Sequence, residues 1–585
     1  MFEQEQEIIA QQIKAYCLAQ GLPDLPLLWK WIPFNAHWGI STSFFQLAAA
    51  DAKEKGQKVN VAARAQELAE GAAAHLGQPA GFDRLEAVRG YLNLYFSTPA
   101  YAQRVLDTVL EQGENFGENP STGEKVMVEF SQPNTHKAFH VGHLRNVILG
   151  DAVCNLLEGG GNTVVRTNYI GDIGLHVIKW LWNYLENHDG EVPGDEKIRW
   201  MGDIYSEADR LYQDPAVEEQ VRALFARWDR KEEDIVELWE ITREWSMEGF
   251  QQIYDLLGVH FDHFYYESDV EDSGKEIVDL LIEKGLARDE RPEGAVIVPL
   301  DEILGTEEVY RVLVVLRSDG TSLYATKDLA LAIDKFEQYG LDRSVYVIDV
   351  RQSLYMKQIF KTLELLGYEW AEDCQHLAYE IVNLPGNVTM SSRDGTVVLL
   401  EDLLKEAVAR TLTIVQEKNP DLTPVQQQEV AQAVALGALK YSMLSRDNTK
   451  IVTFDWETAL DFNGQAAPYI QYAAVRCNSI LRKLDGGLPA SAPLNYALEE
   501  AEVHLIDLIS RLPNEVERAS RELKPLYVAT HAYELAKGFS NFYNTCPVLK
   551  ADEPMRSHRL RIVAAARVAI ANSLAFLGIQ SPDVM

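Results

Sequence analysis

The period of the apolar positions changes three times along the chain. Up to about residue 118, helical spacing gives way to alternation: RGYLNLYFS (89–97) predicts a strand and AYAQRVLDTVLEQ (100–112) a helix. A polar loop bearing Gly and Pro, GENFGENPSTGEK (113–125), reads as a linker. From 126 to about 400, short apolar runs of strand type alternate with helical stretches, the pattern of a parallel sheet covered by helices. Between about 184 and 260 the alternation stops. That stretch is rich in acid and Trp with helical spacing, and reads as a helical insertion between two halves of the α/β domain. Beyond about 401, amphipathic helices dominate and an all-α domain is expected. The expectation is thus a small α+β domain over 1–118, an α/β domain over 119–400 with its insertion, and an all-α domain over 401–585.

The strand KVMVEF (125–130) cannot run on through SQPNTHKAF (131–139), because Pro133 and Asn134 force a turn. A helix follows from about His140, ended by Gly159, Gly160 and Gly161, and TVVRTNYI (163–170) is the next strand. In such a βαβ unit the loop before the helix lies at the carboxyl edge of the sheet, where α/β folds bind ligands. The loop and first turn carry Lys137, His140, Gly142, His143 and Arg145 beside a helix N-terminus that already favours anions, so a phosphate is the natural guest. His140 and His143 share a face, and Gly142 leaves room for a flat ring. On residues alone the pair also suits a satisfied surface His pair, while half of a metal site is disfavoured because no further ligands stand nearby. RVLVVL (311–316), the helix YATKDLALAIDKF (324–336) and SVYVIDV (344–350) read as a second βαβ unit, with Tyr324 and Asp328 one turn apart.

Composition changes the picture less than it first suggests. The 585 residues suffice for three or four domains at roughly 100–200 residues each. With Lys+Arg 54 against Asp+Glu 88, the net charge of -34 taken alone argues against a nucleic-acid partner. Residues 505–585, however, hold ten Lys/Arg and eight Asp/Glu, a net of +2, so the acid excess lies elsewhere. The five cysteines stand far apart with no C-x-x-C, and neither a disulfide framework nor a zinc site is expected. No membrane span or signal peptide is read, so the cytoplasm is the expected location.

The segment SQPNTHKAFHVGH (131–143) resembles the first signature of the class I aminoacyl-tRNA synthetases, the H-x-G-H element that binds ATP. Its S-x-P-N and Lys137 resemble the arginyl-tRNA synthetases in particular. Y-A-T-K-D (324–328) is similar to that family's Y-x-T-R-D. D-V-R-Q-S-L-Y (349–355) is similar to its D-x-R-Q-x-x-H, with Tyr355 where His is common. TNYIGDIGLHV (167–177) resembles N-x-x-G-D-W-G-x-Q, with Ile173 and His176 departing. NVTMSSRDG (387–395) stands where the second signature, K-M-S-K-S, belongs, but Thr389 and Ser392 replace its lysines.

The resemblance implies a Rossmann-type catalytic domain and an arginine–tRNA ligase that uses ATP, with Mg²⁺ on the triphosphate, and no protein-bound metal. It implies that Lys137, His140, His143 and Arg393 carry the chemistry at ATP, with Gly142, Met390, Ser391 and Ser392 also at the nucleotide. Glu129, Asn134, Tyr324, Asp328 and Gln352 would serve arginine. At the C-terminus, APYIQYAAVRCNSILRK (467–483) resembles the start of the arginyl anticodon-binding domain. There Tyr469, Tyr472 and Arg476 share a helix face that suits base stacking as well as a core stripe. Tyr543 and Met585 are implied at the same surface, and Asn93 in the N-terminal module at the tRNA elbow. The partners implied are tRNA(Arg), arginine and ATP, without DNA or membrane, and a monomer is usual. A class I ligase for another amino acid, such as cysteine, and a catalytically silent tRNA-binding paralogue are the alternatives. The strongly negative net charge predicts few phosphate contacts and reliance on stacking.

Overall fold

The structure, a computed structural model, describes residues 1–56, 59–384, 388–389, 399–484 and 486–585. At the N-terminal end, Trp29–Trp31, Gly39–Ser43, Tyr91–Phe96 and Phe82–Val88 form an antiparallel sheet in that spatial order. Arg89 (φ 50°) and Gly90 (φ 82°) close the hairpin, both left-handed as a tight two-residue turn requires. Alternation along Tyr91–Phe96 buries Leu92, Leu94 and Phe96 and turns Tyr91 and Asn93 outward.

The catalytic-type domain is built on five parallel strands in the order Cys374–Tyr379, Arg343–Asp349, Lys125–Glu129, Thr163–Ile170, His263–Tyr266. Val126, Met127 and Val128 are fully buried, as a parallel sheet covered on both faces demands. The chain leaves Lys125–Glu129 toward one edge and later returns on the other side. The crevice of a doubly wound sheet therefore opens at the carboxyl ends of Lys125–Glu129 and Arg343–Asp349.

The strand at 311–316 does not join this sheet. Val312–Leu316 pairs antiparallel with Val296–Pro299, which pairs with Arg288–Asp289. The reason lies in its own pattern: Val312 and Val314 are exposed while Leu313, Val315 and Leu316 are buried, a one-sided strand that cannot sit inside a two-faced parallel sheet. The helix Tyr324–Tyr339 thus enters the large sheet from outside it.

Between Thr163–Ile170 and His263–Tyr266 the chain makes the helices Leu175–Asn187, Lys197–Leu211, Pro215–Asp229 and Glu233–Leu257. Trp180, Trp182, Trp228 and Trp239 form the core of this insertion. Lys197–Leu211 lies so close to the loop before the His140 helix that a Cβ on Gly202 would stand 2.6 Å from the Ala138 Cβ.

The C-terminal helices Pro424–Leu444, Ala467–Leu481, Glu500–Glu522, Leu526–Thr545 and Met555–Ala575 share one continuous core with the α/β domain. Val452–Thr453, within this otherwise helical region, pairs in parallel with Val382–Asn383 and stitches the two together. Lys440 is a buried joint: its Nζ donates to the carbonyls of Leu257 (2.7 Å) and Gly578 (2.6 Å), with Asp151 at 4.0 Å. The segment 113–125 is packed rather than loose. Phe116 is fully buried, and Asn572 Nδ2 donates to the carbonyls of Gly113 (2.9 Å), Glu114 (3.1 Å) and Phe116 (2.8 Å). Among the described residues, no helix is long and apolar enough to cross a membrane.

Asn572→Ala leaves those carbonyls without their donor in a half-buried setting. It is expected to lower stability by about 1–3 kcal/mol, read as a reduced urea midpoint with unchanged slope; an unchanged midpoint would mean that water replaces the amide.

Candidate active site

The loop after Lys125–Glu129 is held in a shape it could not keep alone. Ser131 (φ 77°), Gln132 (φ 48°) and His136 (φ 62°) are all left-handed without being glycine, at a cost of order 1–3 kcal/mol each. Three neighbouring elements compensate. Asn146, from the helix Val141–Gly159, accepts from the Ser131 N–H (2.6 Å) and donates to the Val347 carbonyl (2.9 Å). Asn168 accepts from the Gln132 N–H (3.0 Å). From Glu233–Leu257, Ser246 Oγ accepts from the His136 N–H (3.0 Å), Thr242 Oγ1 meets His136 Nε2 (2.8 Å), and the Tyr254 hydroxyl bonds Ser131 Oγ (2.7 Å) and Asn168 Nδ2 (3.0 Å). The insertion therefore has a definite task, which is to brace this loop. It braces the next one as well: Trp239 Nε1 donates to the Asp172 carbonyl (2.7 Å), and Arg243 pairs with the Asp172 carboxylate (3.1 Å).

His140 is the N-cap of Val141–Gly159. Its Nδ1 accepts from the Gly142 N–H (3.1 Å), and His143 Nδ1 accepts from the His140 N–H (3.1 Å). The rings stack with centroids 3.9 Å apart. Burial pushes both imidazoles below their ordinary range, reinforced by the neighbouring Lys137. Both are neutral at pH 7. Because each Nδ1 is an acceptor, the proton sits on Nε2, and each ring presents an N–H donor beside a helix N-terminus. Gly142 is required by this pair: a Cβ there would stand 2.9 Å from His140 Cε1, so the ring it makes room for is His140 itself.

Lys137 is half-buried against the insertion, its Nζ 5.0 Å from the Tyr205 ring centre, and burial lowers its pKa. Arg145 departs from the expected phosphate cluster. Its guanidinium turns inward and donates to the carbonyls of Glu380, Ile381 (3.0 Å), Asn448 (3.3 Å) and Lys450 (3.0 Å). A side chain that saturates four carbonyls is a structural tie between the sheet and the C-terminal helices.

At the crevice lies a cavity of about 470 Å³ whose lining includes Glu129, Asn134, His143, Tyr324, Asp328 and Gln352. Six of the expected positions are therefore brought together. Gly171 lets Asn134 in, since a Cβ there would stand 2.2 Å from Asn134 Oδ1.

The charges of the lining were less legible. Glu129 pairs with the fully buried Lys335, Glu267 with Lys327 (3.1 Å), and Asp349 with Arg351 (2.8 Å). Asp328 has no cation within ion-pair distance among the described residues, and accepts from the Tyr355 hydroxyl at 2.5 Å. Burial pushes its pKa up to about 7, with Glu129 and Glu267 adding to the rise and the Tyr355 bond opposing it. Glu267 and Lys335 are the residues that sequence reasoning missed. Glu267 follows directly on the strand His263–Tyr266 at the carboxyl edge, and Lys335 stands on the apolar stripe of Tyr324–Tyr339, where a charge signals a buried partner.

Met390, Ser391, Ser392 and Arg393 lie outside the described residues. In the C-terminal domain Tyr472, Arg476 and Tyr543 come together: the guanidinium lies 4.9 Å from each ring centre, and both tyrosines are 40% exposed. Tyr469 turns toward Ser540 (3.2 Å) and Tyr533, and Met585 packs on the separate cluster of Val415, Val430 and Val434. Asn93 accepts from Ser41 Oγ (2.7 Å) on the outer face of the N-terminal sheet. Part of the local charge of 505–585 is spent inside the fold. Arg511, Arg559 and Arg561 are consumed by Asp507, Glu502 and Asp107 in ion pairs of 2.6, 2.8 and 2.5 Å.

A doubly wound parallel sheet, a stacked His pair at a helix N-terminus and an anionic cavity at the switch point together define a class I tRNA synthetase catalytic domain. Residues 105–456 match the family described as tRNA synthetases class I (R), catalytic domain, and residues 470–585 match the DALR anticodon binding domain. The chain is 35% identical over 515 residues to the arginine–tRNA ligase of Clostridium beijerinckii, covering 86% of this chain and 88% of that one. It is 36% identical over 506 residues to that of Bdellovibrio bacteriovorus, covering 85% and 86%. In structure it is similar to Thermus thermophilus arginyl-tRNA synthetase with a TM-score of 0.82 at 28% identity, over 99% of this chain and 100% of that one. The chain belongs to the arginyl-tRNA synthetase family.

Tyr254→Phe removes the hydroxyl shared by Ser131 and Asn168. A loss of about 1–3 kcal/mol is expected, measured by urea unfolding, with faster amide exchange across 131–136; protection there equal to the unaltered protein would show that the other ties suffice.

Proposed function

We propose that this chain is an arginine–tRNA ligase, which activates arginine with ATP to arginyl-adenylate and transfers the arginyl group to tRNA(Arg). The observation that carries this reading is the charge balance of the cavity. Three of its carboxylates have cations of their own, while the fourth, Asp328, has none within ion-pair distance among the described residues and shares the cavity with a neutral imidazole donor suited to a triphosphate. Arginine's guanidinium supplies a cation, and its planar fork suits a carboxylate. Tyr324, at the mouth of the cavity, lies over the side chain. Asn134 and Gln352 hold the amino acid's main-chain groups, and Glu129, neutralised by Lys335, orders the cavity floor and Gln132.

In the first step a carboxylate oxygen of arginine attacks the α-phosphorus of ATP. The bond to the bridging oxygen of the β-phosphate breaks, and pyrophosphate leaves. His140 and His143 donate through Nε2–H to the nucleotide, Gly142 keeps their rings seated, and Lys137 offsets charge that develops on the leaving group. Mg²⁺ arrives with ATP. Met390, Ser391, Ser392 and Arg393 belong to the second signature segment, whose one cation, Arg393, would act with Lys137. In the second step a terminal ribose hydroxyl of the tRNA attacks the adenylate carbonyl and AMP leaves. Tyr472, Arg476 and Tyr543 form a stacking platform for anticodon bases, with Tyr469 and Met585 shaping the surface around it, and Asn93 meets the tRNA elbow. The enzyme acts in the cytoplasm as a monomer.

ATP–pyrophosphate exchange tests this reading. Arginine-dependent exchange in the presence of tRNA(Arg) is expected; its absence overturns the assignment, and exchange with cysteine instead selects a different class I ligase. Lys137→Ala is expected to slow adenylate formation at least tenfold with tRNA affinity changed less than about twofold, a difference of more than about 1 kcal/mol. Equal losses in both would remove it from the triphosphate.

A further inference from the structure

Asp328 is singular among the cavity's carboxylates in the company it keeps. The groups facing it come from five elements: Glu129 on Lys125–Glu129, Tyr169 on Thr163–Ile170, Glu267 after His263–Tyr266, Tyr346 on Arg343–Asp349, and Tyr355 on Ser353–Leu366. Its own helix adds Tyr324, Lys327 and Lys335, but both lysines are taken, by Glu267 and Glu129 respectively. One direct hydrogen bond reaches the Asp328 carboxylate among the described residues, from Tyr355 at 2.5 Å. Tyr355 is half-buried, its hydroxyl has no other partner there, and its own proton is held by burial and by Asp328. The pair is therefore a donor and an acceptor in a low-dielectric wall, with two neutralised carboxylates beside it and no resident cation.

We propose that Tyr355 is a positioning residue that holds Asp328 ready for the guanidinium, and that arginine capture is coupled to release of one proton from the Tyr355–Asp328 pair. The proposal rests on the arginine-ligase reading and adds to it a specificity and pH device. Before arginine binds, Asp328 carries a proton part of the time, chiefly because its site is desolvated. The incoming guanidinium is a permanent cation, it supplies the missing countercharge, and the carboxyl proton departs to solvent. The Tyr355 hydroxyl donates more strongly to the charged form of Asp328 than to the neutral one, so it shifts the balance toward the anion that arginine needs. Removing the hydroxyl strengthens the hold on the carboxyl proton, which moves the working pH of arginine binding upward. Lysine, a compact ammonium without a fork, gains less from a carboxylate fixed in one orientation.

The test is the arginine KM in tRNA charging between pH 6 and 9, for the unaltered chain and for Tyr355→Phe. In the unaltered chain KM should fall as pH rises to about 7 and level off above, since only the ionised carboxylate binds. In Tyr355→Phe the level region should begin at higher pH, with KM several-fold above the unaltered chain at pH 7, converging on it at pH 9, and kcat at saturating arginine within about twofold throughout. A merely structural role would raise KM by the same factor at every pH or lower kcat, and either result overturns the proposal, as does a level profile in the unaltered chain. Should the variant fail to fold, calorimetry of arginine binding to the unaltered protein in two buffers of different ionisation enthalpy decides the matter. Release of about one proton at pH 6 that vanishes by pH 9 supports the proposal, and no pH-dependent release overturns it. An unaltered chain that charges no tRNA with arginine at any pH overturns the arginine-ligase reading itself, an outcome distinct from charging with a level profile.

Discussion

The shape of the loop 131–136 is the constraint around which this protein is organised. Three of its six residues occupy left-handed backbone without being glycine, and a short loop has too few contacts of its own to hold them. Its anchors come from far apart in the chain: Asn146, Asn168, Thr242, Ser246 and Tyr254. Two consequences follow. The helical insertion is a brace, whatever else it touches, because Glu233–Leu257 supplies three of those five anchors. The helix Val141–Gly159 is aimed by the same network, so its capping His140 and the stacked His143 stand at the crevice, with His143 in the cavity lining.

Charge works by pairing at every level. The buried lysines 327, 335 and 440 and the buried Arg145 are all satisfied, by carboxylates or by backbone carbonyls, as burial of a cation demands. Against that background the carboxylate of Asp328 stands out, among the described residues, for having only a hydroxyl. The same rule reduces the basic character of residues 505–585, where Arg511, Arg559 and Arg561 are spent in ion pairs inside the fold. What remains on that surface is aromatic, with Arg476 between two exposed tyrosines, a combination that favours stacking over a ladder of phosphate contacts. A net charge of -34 and an RNA-facing surface are compatible on these terms.

Much of the fold could be read from residue patterns. The strand Lys125–Glu129, the helix opening at His140 and the strand Thr163–Ile170 follow from a turn-forming Pro-Asn, a capping position and terminal glycines, all local effects. The misread strand, Val312–Leu316, has the right composition for a parallel sheet, and only the exposure of Val312 and Val314 reveals the antiparallel one. The loop 113–125 has a linker's composition, yet Asn572, more than four hundred residues on, fastens it.

The sequence by itself determined which segments would be strands and helices and which loop carries the chemistry, together with the family, because propensity, capping and motif spacing are local properties. Only the tertiary structure decided what each charge does there. Glu129 and Asp328 are both acids on motifs that point at a cationic substrate, but Lys335 neutralises one and Tyr355 merely orients the other. Arg145 and Lys137 are both cations beside the same helix N-terminus, but one is tied inward to four carbonyls and the other stays near the signature loop. The free energy of a buried charge is set by which partners the fold brings within about 4 Å, and those partners lie hundreds of residues away in the chain, 206 for Glu129 with Lys335 and 305 for Arg145 with the Lys450 carbonyl.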